Sequence, residues 1–173
     1  MEALEGRLKK FALQIEPSKT RLVEFGRFAD KHAKERGRKM VTIYFLGFTH
    51  FCTCNRGGNF MVGRKTEKSR LKRIVIALQI EIRKNRHAPL KEQCERINQI
   101  LRGHYNYCGL AGNLKALFQV YERSKLYWRK LLGTRSQKSY VSWEEYREIL
   151  LRFPLLRPKL PIPYRDLQMY AVL

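Results

Sequence analysis

Between Leu90 and Cys108 the residues Leu90, Cys94, Ile97, Leu101, Tyr105 and Cys108 recur at spacings of four, three, four, four and three. Only a helix brings all six to one side. A helix carrying such a stripe must bury it against other elements, so this stretch commits the chain to a packed helical unit. Pro89 suits the first turn of this helix. Gly109 and Gly112 end it, and Gly109 is expected at positive φ, where a glycine stop is unstrained. The stripe itself reads as core. Arg102, Asn106 and Tyr107 fall beside or opposite it. With His104 they are the residue types that meet nucleic acid, since arginine and aromatic planes stack on bases.

Other segments follow the same two periods. Leu4, Leu8, Phe11 and Ile15 share one helical face in residues 2–15, and Pro17 ends that helix. Residues 21–25 read as a short strand and residues 26–39 as a basic loop. Phe28-Ala29-Asp30 superficially resembles a polymerase carboxylate box. Two-metal phosphoryl transfer needs clustered carboxylates, and Lys31 follows Asp30, so no catalytic residue is assigned. Residues 41–51, VTIYFLGFTHF, are β-branched and aromatic and form the best strand. Asn55-Arg56-Gly57-Gly58 turns the chain, and residues 59–62 return as a second strand.

From Gly63 onward helical patterns replace strand patterns. Residues 64–73, RKTEKSRLKR, are the densest basic run. Thr66 is placed as a cap with Glu67 at the positive helix end, and Leu71, Val75, Leu78 and Ile82 form the stripe. Arg64, Lys65, Lys68, Arg70, Lys72 and Arg73 are then expected on the solvent side. Asn113 is expected to cap a third helix with Leu114, Leu117, Phe118, Tyr121 and Trp128 inward. Ser142 and Glu145 form a capping box that opens a fourth, striped by Trp143, Tyr146, Ile149, Leu150 and Phe153. Pro154, Pro158, Pro161 and Pro163 end regular structure, leaving an extended tail packed through Leu155, Leu156 and Tyr164.

Thirty-six Lys and Arg stand against 15 Asp and Glu, a net charge of +21. Such a charge repels itself unless a polyanion is near, and nucleic acid is the leading partner. No long uncharged apolar run exists, which argues against a membrane. Cys52, Cys54, Cys94 and Cys108 include no CxxC pair and are expected as free thiols in a reducing cytoplasm. His50, Cys52 and Cys54 alternate as on one strand face. They lack a fourth ligand at zinc spacing, so no metal is expected.

Four ordered segments resemble one family. Leu101-Arg102-Gly103-His104-Tyr105-Asn106-Tyr107-Cys108-Gly109 resembles the LRGHxNYYG core of the maturase-specific domain in bacterial group II intron reverse transcriptases. Residues 17–29, PSKTRLVEFGRFA, resemble the family's PEKTRLIEFGRFA. Residues 45–50 read FLGFTH, as in the family. Trp128 to Leu132 with Arg135 to Lys138 resembles WxxxLxxRSQK. Cys108 stands where tyrosine is usual, Ser18 where glutamate is common, and Ala12 where glycine is expected. No Tyr-Ala-Asp-Asp box precedes these motifs.

The resemblance implies the C-terminal part of such a protein. The expected fold is α+β: an N-terminal helix and β-hairpin (residues 1–63, a palm edge), then a mainly helical thumb and maturase region (64–153), then a proline-rich tail (154–173). By the same resemblance, Phe45, Leu46, Gly47 and Phe48, on the strand of that hairpin, are the primer-grip-like residues. The implied function is RNA binding by a maturase-type module of a mobile genetic element. It stabilises group II intron RNA for splicing and, in full-length relatives, holds template and primer for reverse transcription. Arg102, His104, Asn106, Tyr107, Arg129, Lys130, Arg135 and Lys138 join the six basic residues of 64–73 as expected RNA contacts. The isolated chain is expected to have no polymerase activity, cofactor or small-molecule substrate; Mg2+ is implied only for the full-length polymerase and the intron RNA. The alternatives are the C-terminal half of a split RNA-directed DNA polymerase, partnered by an upstream reverse-transcriptase fragment, and a nonfunctional remnant.

Overall fold

The computed structural model describes residues 2–135 and 140–169. The fold is α+β, with one antiparallel three-stranded sheet and seven helices among the described residues. The sheet order is β1 (Ile43–Phe45), β2 (Phe48–Cys54), β3 (Phe60–Thr66). Two compact units divide the chain: residues 1–43 with 51–62, and residues 44–50 with 63–173. The FLGFTH segment thus belongs with the helices rather than with the N-terminal residues that precede it.

The first unit contains α1 (Glu2–Lys9) and α2 (Ala29–Glu35). Helix α1 buries nothing and stops well before Pro17, shorter than the pattern predicts. Leu4 is half exposed and Phe11 is 71% exposed, while Leu8 and Ile15 of the same stripe are half-buried. Ala12 takes φ +57°, a left-handed conformation that favours the glycine expected there. Residues 21–25 form no strand. Glu24 instead pairs with His32 and, at 3.0 Å, with Arg36. Those contacts, the His32 hydrogen bond foremost, hold its carboxyl below the usual range. Both partners sit on or just after α2, which replaces the expected basic loop. Asp30 pairs with Lys34 one turn on, at 2.8 Å. Asn55 Oδ1 accepts from the backbone N–H groups of Gly57 and Asn59, fixing the predicted turn.

The second unit holds the main core. Helices α3 (Lys68–Lys84), α4 (Leu90–Cys108) and α5 (Leu114–Leu132) pack together, joined by α6 (Trp143–Arg152) and the tail. Cys94, Ile97, Leu101, Tyr105 and Cys108 are all buried along α4, as the stripe requires. Burial raises both the Cys94 and Cys108 thiol pKa values, and all four cysteines are free thiols. On α5 the inward face is Leu117, Val120, Tyr121, Ser124, Trp128 and Leu132. Leu114 and Phe118, expected inward, are 38% and 42% exposed. The Ser142–Glu145 capping box opens α6 as its sequence specifies.

The tail from Pro154 is extended, with Leu155 buried, but Tyr164–Met169 form a short helix, α7, where continued extension was expected. Ile162 pairs in a parallel bridge with Leu110. Gly109 sits under this crossing with φ −78°, not the positive value expected of a helix stop. Its requirement is space: a Cβ there would overlap Pro161 and the Tyr105 carbonyl. Gly112 does take positive φ, +90°.

Candidate nucleic-acid interface

The strand expected over residues 41–51 is interrupted at Leu46-Gly47, which turns β1 back into β2. Both residues have positive φ, +49° and +76°, the arrangement that matches the twist of a two-residue hairpin. Glycine takes this conformation freely, whereas Leu46 bears a cost of roughly 1–2 kcal/mol. Three groups of the helical unit offset that cost by holding the turn. The Tyr107 hydroxyl donates to the Leu46 carbonyl at 2.7 Å, and Arg70 Nη1 donates to the same oxygen at 3.1 Å. The Glu67 N–H donates to the Gly47 carbonyl at 3.0 Å.

These groups also stack. The Arg70 guanidinium lies 4.6 Å from the centre of the Tyr107 ring, and Phe48 stacks on that same ring at 5.9 Å and 15° between planes. A Cβ on Gly47 would overlap the Arg70 side chain, so glycine is required here for closeness as well as conformation. Phe48 is buried, while Phe45 and Leu46 project outward at 62% and 66% exposure. The tip therefore presents two apolar side chains on a backbone fixed by α3 and α4. In the sequence Arg70 is one basic side chain among the six of residues 64–73. Its clamping role has no local sequence signal, because its partner lies 24 residues away.

His104 is corrected by the structure. It is 7% exposed, its Nε2 has no hydrogen-bond partner among the described residues, and burial, with a smaller contribution from the Arg70 charge, lowers its pKa to about 4. It is a neutral core residue at pH 7, not a surface contact. Arg102 and Asn106, its neighbours on α4, are exposed.

Thr66, Arg64, Lys65, Asn113 and Arg135 also take places or roles other than those expected. Thr66 does not cap α3, which begins after Glu67; it ends β3, and Arg64 and Lys65 lie on that strand rather than on a helix. Thr66 is tied to Asn113, whose Oδ1 accepts from the Thr66 N–H at 2.8 Å and whose Nδ2 donates to the Thr66 hydroxyl at 2.7 Å and to the Cys108 carbonyl at 2.8 Å. Asn113 occupies the α5 cap position, yet its side chain makes no cap hydrogen bond. Arg135 is likewise structural: Nε and Nη2 donate at 2.7 Å to the Arg86 and Ala88 carbonyls. Gln93 Nε2 donates to the same two carbonyls, and its Oε1 accepts from Trp128 Nε1 at 2.8 Å.

Among the remaining basic residues, Lys68, Lys72, Arg73 and Lys130 are exposed, and Arg64 is half-buried. Arg129 is half-buried with its guanidinium 3.9 Å from the centre of the Trp143 ring. Lys138 lies outside the described residues. Among the described residues, no group of three or more His, Cys, Asp or Glu could hold a metal, and no helix is long and apolar enough to cross a membrane.

No protein-family model, curated protein or solved structure matches this chain.

Proposed function

We propose that residues 44–50 and 64–153 form an RNA-binding module of the maturase type, which stabilises folded group II intron RNA. The observation that carries this reading is the clamp. FLGFTH and LRGHYNYCG are separate family-like motifs, and Tyr107 and Leu46, one from each, share a hydrogen bond across 61 residues. Two motifs that resemble one family and also complete each other form a single site. Around it the chain offers exposed cations on α3, α4 and α5, suited to phosphates, with Arg102 and Asn106 available for base or ribose contacts. RNA performs the phosphoryl chemistry of splicing; the protein shifts the RNA toward its active fold through differential binding.

A salt series tests this directly. Binding of the chain to a group II intron RNA is compared with binding to an unrelated structured RNA. Preference that persists at about 0.2 M salt, with selective loss in Arg102→Ala, supports the module. Equal binding to both, collapsing together as salt rises, overturns it in favour of a generic polycation.

A second reading, half of a split RNA-directed DNA polymerase, draws support from apolar side chains in the first unit. Leu22 is 85% exposed and Phe11 71% exposed, surface that an upstream polypeptide could cover. On either reading the isolated chain is expected to incorporate no nucleotide. Metal-dependent incorporation that vanishes in a variant of one of its own carboxylates would contradict that.

A further inference from the structure

We propose that the groove between α3 and α5 is a docking site for an acidic amphipathic helix of a partner protein. The groove encloses about 630 Å³, and Leu71, Val75, Ile76, Phe118 and Leu126 supply its apolar lining. Ile76, Phe118 and Leu126 are 42%, 42% and 50% exposed, so this surface is open to solvent. A second depression continues from Ile76 past Ile80, itself 62% exposed, to Arg83 and Lys84. Lys68 lies at one end of this track and Lys84 at the other, the full length of α3. At 1.5 Å per residue that is about 25 Å, room for a helix of about four turns.

Charge decides between occupants. Lys68, Lys72, Lys115 and Arg123 edge the groove, and Glu122, the acidic residue on its lining, is paired with Lys125 at 3.0 Å. The edge is therefore strongly positive, and the floor is apolar. A second copy of a chain with net charge +21 would meet it with repulsion. RNA would answer the lysines, but its sugar–phosphate surface would gain nothing from covering Ile76, Ile80 and Leu126. An amphipathic helix with apolar residues at i, i+3, i+4 and i+7 and flanking carboxylates answers both features. The apolar floor is distinct from the Leu46–Tyr107 clamp, while Lys68 and Lys72 on its edge are also among the α3 cations of the RNA-binding reading, so RNA and the helix would compete for them.

The test uses the full chain and two labelled peptides of about 15 residues. One has leucines at helical spacing between glutamates; the other has the same composition in scrambled order. The patterned peptide is expected to bind at least about tenfold more tightly. Leu126→Gln and Ile80→Gln should each weaken it several-fold, while leaving the thermal unfolding midpoint unchanged because both side chains are exposed. Equal binding of the two peptides overturns the proposal, as does insensitivity to both substitutions. A structured RNA hairpin is titrated in parallel. If Leu126→Gln and Ile80→Gln weaken the hairpin as much as the patterned peptide, the groove is an RNA surface and the proposal fails.

Discussion

Helices α1 and α4 are both amphipathic in sequence and end in different states. The stripe of α4 meets α3, α5 and the tail, and Leu101 is fully buried within it. Among the described residues nothing fully buries the stripe of α1, and the helix stops at Lys9. Periodicity defines which face would be buried; burial itself requires neighbours, and most helical stability in proteins comes from that packing.

Truncation should separate the two regions most strongly. Trp128 is fully buried and hydrogen-bonded to Gln93, so Trp128→Ala should destabilise the helical unit by about 3–5 kcal/mol. Phe11→Ala, at 71% exposure, should change stability by less than about 0.5 kcal/mol. Urea unfolding of both variants measures the contrast, and equal effects would erase it.

Protonation provides the next largest effect. His104 has a folded pKa lowered to about 4 from 6.5, so the unfolded chain binds the extra proton first as pH falls. The stability of the helical unit should be intact above pH ~6.5 and fall between about 6.5 and 4, by on the order of 3 kcal/mol. His104→Phe should flatten this window in a pH series of denaturant midpoints. An unchanged slope would mean that another group drives it.

The clamp should yield a smaller effect. Tyr107→Phe keeps the stacking on Phe48 and removes one hydrogen bond to Leu46, with an expected cost of about 1 kcal/mol. Faster amide exchange should appear at residues 45–48 and leave the centre of α4 protected. Uniform loss of protection would show that the bond holds the whole unit rather than the turn.

In the first unit a substitution should stabilise rather than weaken. Ala12 sits at φ +57°, so Ala12→Gly should relieve strain and stabilise the local turn by up to about 1 kcal/mol. Slower amide exchange across residues 8–13 would register it.

Much of this could be read along the chain. The α4 stripe, the Ser142 capping box and the Asn55 turn are local patterns whose physics is complete within one helix or turn. So is the excess of cations. The site was legible as two motifs but not as one contact, since nothing local to Tyr107 names the Leu46 carbonyl as its partner. His104 and Arg135 read as surface residues because their types are polar. Packing buries the first, and the Arg86 and Ala88 carbonyls engage the second from 49 and 47 residues away.

Sequence alone determined that α3 to α6 of the second unit are helices, that a capping box opens α6, and the sign of the net charge; it did not anticipate α7 or the roles of Thr66 and Asn113. Tertiary structure decided how far each stripe is buried, why α5 leaves Leu114 and Phe118 exposed, and that Leu46-Gly47 is a clamped turn within an otherwise strand-like run. The physical reason is range. Backbone periodicity and capping act over three to five residues, whereas burial and buried hydrogen bonds depend on groups that only folding brings together.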